Sequence, residues 1–96
     1  MKTPITSYQK LFNSILLEQF PEIQSIQVDK SGPIIFIVRV YLKPAEEQTG
    51  MISCKFLMNA LTERMIELSQ YIGGGILCSL DIYFEGELLC HDIFRM

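Results

Sequence analysis

The chain predicts an α+β fold, a two-layer sandwich in the order helix–hairpin–helix–hairpin (αββαββ). Its sheet is expected to be four-stranded and mainly antiparallel, with two helices packed on one face. Three observations predict this. Apolar residues recur at helical spacing in the segments 5–20 and 51–72. Two other segments, 23–42 and 76–96, are rich in β-branched and aromatic residues and are each interrupted by turn formers. A chain of 96 residues has room for one core, so 1–96 reads as a single domain.

The first helix is bounded at both ends. Thr3 suits the cap and Pro4 the first turn. Ile5, Tyr8, Phe12, Ile15, Leu16 and Phe20 form its stripe, and Pro21 disfavours helical geometry at Phe20, stopping the helix near residues 18–20. A first strand follows at 23–28, with Ile26 and Val28 on one face. Asp29, Lys30, Ser31 and Gly32 supply the turn, and Pro33 opens a second strand at 34–42, where its missing N–H costs least. Residues 43–50 are a polar connector. The second helix, 51–72, carries Leu57, Ala60, Leu61, Met65, Leu68 and Ile72 on one stripe, with Lys55, Asn59, Thr62, Glu63, Glu67 and Gln70 facing water.

Gly73-Gly74-Gly75 resembles a phosphate-cradling loop only in composition. Such loops lead from a strand into a helix N-terminus, where free N–H groups and the positive dipole end meet the anion. Here a helix ends and a strand begins, so the glycines read as a stop. Ile76, Cys78, Leu80, Ile82 and Phe84 then alternate along a third strand, "EGE" turns the chain, and "LLCHDIFRM" returns as the fourth. A three-residue turn at 85–87 would oppose Asp81 to His91, where a carboxylate favours the charged imidazole. A two-residue turn at Glu85-Gly86 would oppose Asp81 to Cys90.

Composition excludes several functions. The net charge of −3 and the scattering of eight Lys and Arg residues argue against nucleic acid. The longest unbroken apolar run, 34–38, is far short of a membrane span. The N-terminal residues mix polar with apolar, and Cys54, Cys78 and Cys90 are an odd number within apolar segments. Both features lead to the expectation of a cytoplasmic chain with reduced cysteines. Cys90 and His91 adjoin on a strand and point to opposite faces, so they form no thiolate–imidazole pair. No two of the three cysteines and one histidine have short zinc-ligand spacing. Accordingly no catalytic, metal or cofactor residue is assigned, and no cofactor is expected. The last hairpin sets Asp81, Glu85, Glu87 and Asp92 against Arg95, an acidic edge that reads as a solvated rim.

The most informative run is "PIIFIVRVYLKP". If Ile34, Phe36, Val38 and Val40 face the helices, then Ile35, Ile37, Arg39 and Tyr41 face away, joined by Leu77, Tyr83, Leu89 and Ile93 from the other hairpin. An open antiparallel face normally alternates to polar residues, whereas this one would be largely apolar, with Arg39, Ser79, Asp81 and His91 interspersed. The preferred reading is a non-catalytic protein-binding module. It would self-associate as a homodimer through that face, or bind or inhibit another protein there. One alternative lets the first helix cross over to cover the face. Another is a small enzyme or ligand carrier with a pocket at a dimer interface. It would use Arg39, His91 or a cysteine, with Tyr41 or Tyr83 as walls.

Overall fold

The computed structural model describes residues 5–48, 50–71, 73 and 75–96. The roles expected of Thr3, Pro4, Ile72 and Gly74, and of the Ile5 side chain, lie outside the described residues. The elements are α1 (Ile5–Gln19), β1 (Ile23–Lys30), β2 (Ile35–Leu42), a short 3-10 turn (Ala45–Glu47), α2 (Cys54–Ser69), β3 (Leu77–Phe84) and β4 (Glu87–Arg95). The α+β class and the αββαββ order are therefore present.

The sheet is mixed. Its strands run in the order β1-β2-β3-β4, and the central pair β2–β3 is parallel while both hairpins are antiparallel. Parallel neighbours need a long crossover, which α2 supplies between β2 and β3. Helix α1 packs against β1 and α2 against β4. The core lies between helices and sheet. Tyr8, Phe12 and Leu16 of α1 and Leu57, Leu61, Met65 and Leu68 of α2 meet Phe36, Val38, Val40, Cys78, Leu80 and Ile82. Tyr8 anchors one end, its ring edge-on to Phe12 and Phe36 at centroid distances of 5.8 and 4.9 Å.

Several boundaries differ from expectation, each for a local reason. Helix α2 starts at Cys54 because Ser53 takes the N-cap position and its hydroxyl accepts the Phe56 N–H. Residues 51 and 52 precede that cap, and Met58 joins the buried stripe. Strand β1 continues through Asp29 and Lys30, so the first turn is 31–34, closed by Ser31 N–H to the Ile35 carbonyl at 2.8 Å. Ile34 falls in that turn and is 52% exposed, so it does not face the helices. Past α2, Gly73 and Gly75 have positive φ (120° and 73°), the left-handed geometry that lets a chain leave a helix.

The expectation of reduced cysteines is overturned. Cys54, at the start of α2, and Cys90, on β4, are joined by a disulfide with Cα atoms 6.4 Å apart. Two residues 36 apart in sequence meet because α2 packs back along β4. Only Cys78 is free, fully buried among the core side chains.

Candidate functional site

Both described helices lie on one side of the sheet, and no described element packs against the other side. Strand pairing fixes what that open face contains. Ile35 stands beside Leu77, which opposes Arg95. One level on, Asp29, Ile37, Ser79 and Ile93 align, and next come Gln27, Arg39, Asp81 and His91. The last level holds Ser25, Tyr41, Tyr83 and Leu88. Arg39, Asp81 and His91, which look interspersed in the sequence, are thus gathered by register with Gln27 into one band, bordered by Asp29 and Ser79 one level away, with the larger apolar side chains lying to either side.

The band is internally paired. Arg39 donates to Asp29, which also accepts from Gln27 Nε2 at 3.1 Å. Desolvation opposes the guanidinium charge, but the bond to Asp29, that carboxylate's negative charge, nearby Tyr41 and a hydrogen bond to Tyr83 together raise its pKa. His91 Nδ1 lies 2.5 Å from Asp81 Oδ1. The reach follows from the ladder. Ile76 and Met96 exchange both backbone bonds, so alternate pairs along β3–β4 are bonded and Asp81–His91 falls on a narrow, non-bonded pair. Beyond the band, the Tyr41 and Tyr83 rings stack at 5.3 Å.

The register of the last hairpin combines features of both expected turns. Glu85-Gly86 is a two-residue turn, with Phe84 opposite Glu87, yet Asp81 still faces His91. A β-bulge reconciles them: Tyr83 opposes Leu88 and Ile82 opposes Cys90, leaving Leu89 as the extra residue. Leu88, 54% exposed, takes the open-face position beside Tyr83. Leu89, 43% exposed, instead lines a hollow of about 570 Å³ with Phe84, Ile52, Ala45, Gln48 and Gly50. Of the other residues expected on this face, Ile35 and Ile93 are exposed, and Ile37, Arg39, Tyr41, Leu77 and Tyr83 are half-buried among one another.

Both edges of the sheet are blunted. On β1 two of the outward backbone groups are occupied by one side chain of α1: Gln9 Nε2 donates to the Ile26 carbonyl and Gln9 Oε1 accepts the Val28 N–H, both at 2.7 Å. An amide bridging residues two apart imitates a neighbouring strand. On β4 the bulge distorts the edge, and Asp92 Oδ1 accepts the Ile93 N–H at 2.8 Å. Sequence reasoning gave neither Gln9 nor Asp29 a partner, because each role depends on a residue at least ten positions away.

The groups that would serve chemistry are tied up. Burial, with the nearby Asp81 charge adding to it, pushes the Cys78 thiol up to about 12. Cys54 and Cys90 are oxidised, and Arg39 and His91 hold carboxylates. Tyr41 and Tyr83 wall a hollow of about 270 Å³ with Gln24, Leu42, Pro44, Glu85 and Gly86, and Arg39 is not part of its lining. Among the described residues no three His, Cys, Asp or Glu side chains gather into a metal site, and no helix is long and apolar enough to cross a membrane. No protein-family model, curated protein or solved structure matches the chain significantly.

Proposed function

We propose that the chain is a non-catalytic protein-binding module that self-associates through the open sheet face, with recognition or inhibition of another protein as a second use of that surface. One observation carries this reading. The side chains of Ile35, Ile37, Leu77, Ile93, Tyr41, Tyr83 and Leu88 lie on a face that no described helix covers. Scattered exposed apolar residues need no explanation on a soluble protein, but two apolar clusters on one uncovered face, flanking a narrow polar band, mark a contact surface. The guarded edges favour the same face, since strand addition at β1 must displace Gln9 and at β4 must displace Asp92.

Sedimentation equilibrium on the chain tests the reading. A dimer or larger mass at micromolar concentration supports it, and a mass of 11.0 kDa throughout removes self-association. Cytoplasmic residence, expected from the N-terminal residues, now has the Cys54–Cys90 link against it, because such bonds persist in oxidising compartments. Trapping thiols in intact cells decides the point, with three reactive thiols after denaturation for a reduced chain and one for the oxidised form. The rival reading, an enzyme or ligand carrier at a dimer pocket, has no accessible thiol in the oxidised chain, and its Arg39 is already held by Asp29.

A further inference from the structure

We propose that the occupant of the open face is a second copy of this chain, packed about a two-fold axis along the seam between β2 and β3, so that Arg39 lies over the partner's Asp81. The proposal rests on the self-association reading above and adds its geometry.

The pattern of the face selects this axis. Arg39 and Asp81 stand side by side on the two central strands, at one level of the sheet. Rotation about the seam exchanges β2 with β3 and keeps each level in place. Each copy's Arg39 then meets the partner's Asp81, twice over by symmetry. The other simple axes that keep this level in register with itself set like against like. An axis across the strands at this level puts Arg39 over the partner's Arg39 and Asp81 over the partner's Asp81. An axis along β2 pairs the arginines with each other, and one along β3 does the same to the aspartates. Juxtaposed like charges in a desolvated interface cost several kcal/mol, on the order of a hundredfold or more in affinity.

The same rotation orders the remaining levels. Ile35 meets the partner's Leu77, Ile37 meets the partner's Ser79, and Tyr41 meets the partner's Tyr83. Large side chains therefore face large ones at the two ends, and a large one faces a small one beside the charged band. An axis tilted about 15° from the strands yields the roughly 30° crossing usual for aligned sheets. The charged groups have capacity to spare. Arg39 bonds Asp29 through Nη1 and also bonds Tyr83, which together need only some of its five N–H donors, and Asp81 uses Oδ1 on His91 and keeps Oδ2. They enter the interface already half-satisfied, which lowers the desolvation cost that an isolated charge would carry.

The test uses two single variants, Arg39→Asp and Asp81→Arg, with folding checked by circular dichroism. In its own homodimer each sets like charges over each other, so each alone is expected to associate on the order of a hundredfold more weakly than the native chain. Mixed together they become complementary at both contacts, and a heterodimer is expected at the native concentration range. A native chain that is monomeric overturns the parent reading and this one together. A native dimer whose variants both still dimerise, or whose mixed variants stay apart, overturns the axis and leaves self-association standing. Should either variant fail to fold, Ser25→Cys and Leu88→Cys chains replace them. The axis sets Ser25 about 10 Å from the partner's Leu88, within reach of a short bismaleimide, whereas the two Ser25 positions are separated by about 14 Å sideways as well. Linkage in the mixture and not in either chain alone is expected. Its absence from the mixture, with native self-association intact, overturns the axis.

Discussion

Ile37 and Val38 adjoin in the chain, are both β-branched, and lie on opposite faces of the same strand. Val38, with Phe36 and Val40, is almost wholly buried under the helices, while Ile35 on the other face keeps 36% of its surface. The hydrophobicity of Ile37 and Val38 themselves does not distinguish the two sides. What does is the company each keeps: Cys78, Leu80 and Ile82 continue the covered side of β3, whereas Ser79 and Asp81 join Arg39 on the open one. On the proposed reading, the apolar parts of the open face meet their cover only in a complex.

The sharpest way to break that contrast is to place the same charge on each side. Val38→Asp buries an unpaired carboxylate and should cost about 4 kcal/mol or more, enough to unfold a marginal domain. Ile37→Asp should leave the urea midpoint nearly unchanged and abolish assembly. Equal loss of stability from both would mean that the open face is core.

Next in size is the disulfide. Replacing Cys54 and Cys90 together by Ser removes a cross-link between residues 36 apart, and loop-closure entropy puts the cost at about 3–4 kcal/mol. Because the link ties α2 to β4, the loss should appear as faster hydrogen exchange in α2, while the Tyr41–Tyr83 stack on the open face keeps its near-ultraviolet signal. Loss of that signal in the folded variant would show that the link also shapes the open face.

How much of this was legible in the sequence depends on range. The stripe Tyr8–Phe12–Leu16 and the stop at Pro21 are written in spacings of three or four residues, and α1 follows them. Alternation in β2 and β3 likewise placed Ile37, Arg39, Tyr41, Leu77 and Tyr83 on the face opposite the core. The parallel pairing of β2 with β3 joins segments about 40 residues apart, with nothing local to announce it, and that pairing turns Arg39, Asp81 and His91 into a band. The Cys54–Cys90 bond has the same character. Leu89 was misplaced for a smaller reason: a single bulge residue shifts every side chain beyond it to the other face.

Smaller effects test the edges that leave the open face as the available surface. Gln9→Leu keeps bulk on α1 but strips two hydrogen bonds from the β1 edge, and should cost about 1–2 kcal/mol by urea titration. It should also raise concentration-dependent, dye-binding aggregation, because the outward Ile26 and Val28 groups become available to another strand. An unchanged aggregation rate would mean that the side chain is dispensable as an edge guard.

The smallest effect concerns the tip of the last hairpin. Glu85 occupies positive φ (51°) ahead of Gly86 (84°), the primed turn for which Asn-Gly is the favoured pair. A glutamate there carries a strain of about 1 kcal/mol, and its carboxylate accepts the Ala45 N–H at 3.2 Å, tying the tip to the turn after β2. The two contributions separate by substitution. Glu85→Ala keeps the strain, loses the bond and should destabilise by about 0.5–1 kcal/mol. Glu85→Asn relieves the strain while losing the same bond, so it should fall within about 0.5 kcal/mol of the native chain. Were alanine as stable as asparagine, the backbone angle would cost nothing measurable. The choice of glutamate over the usual turn former would then rest on its hold on Ala45 alone.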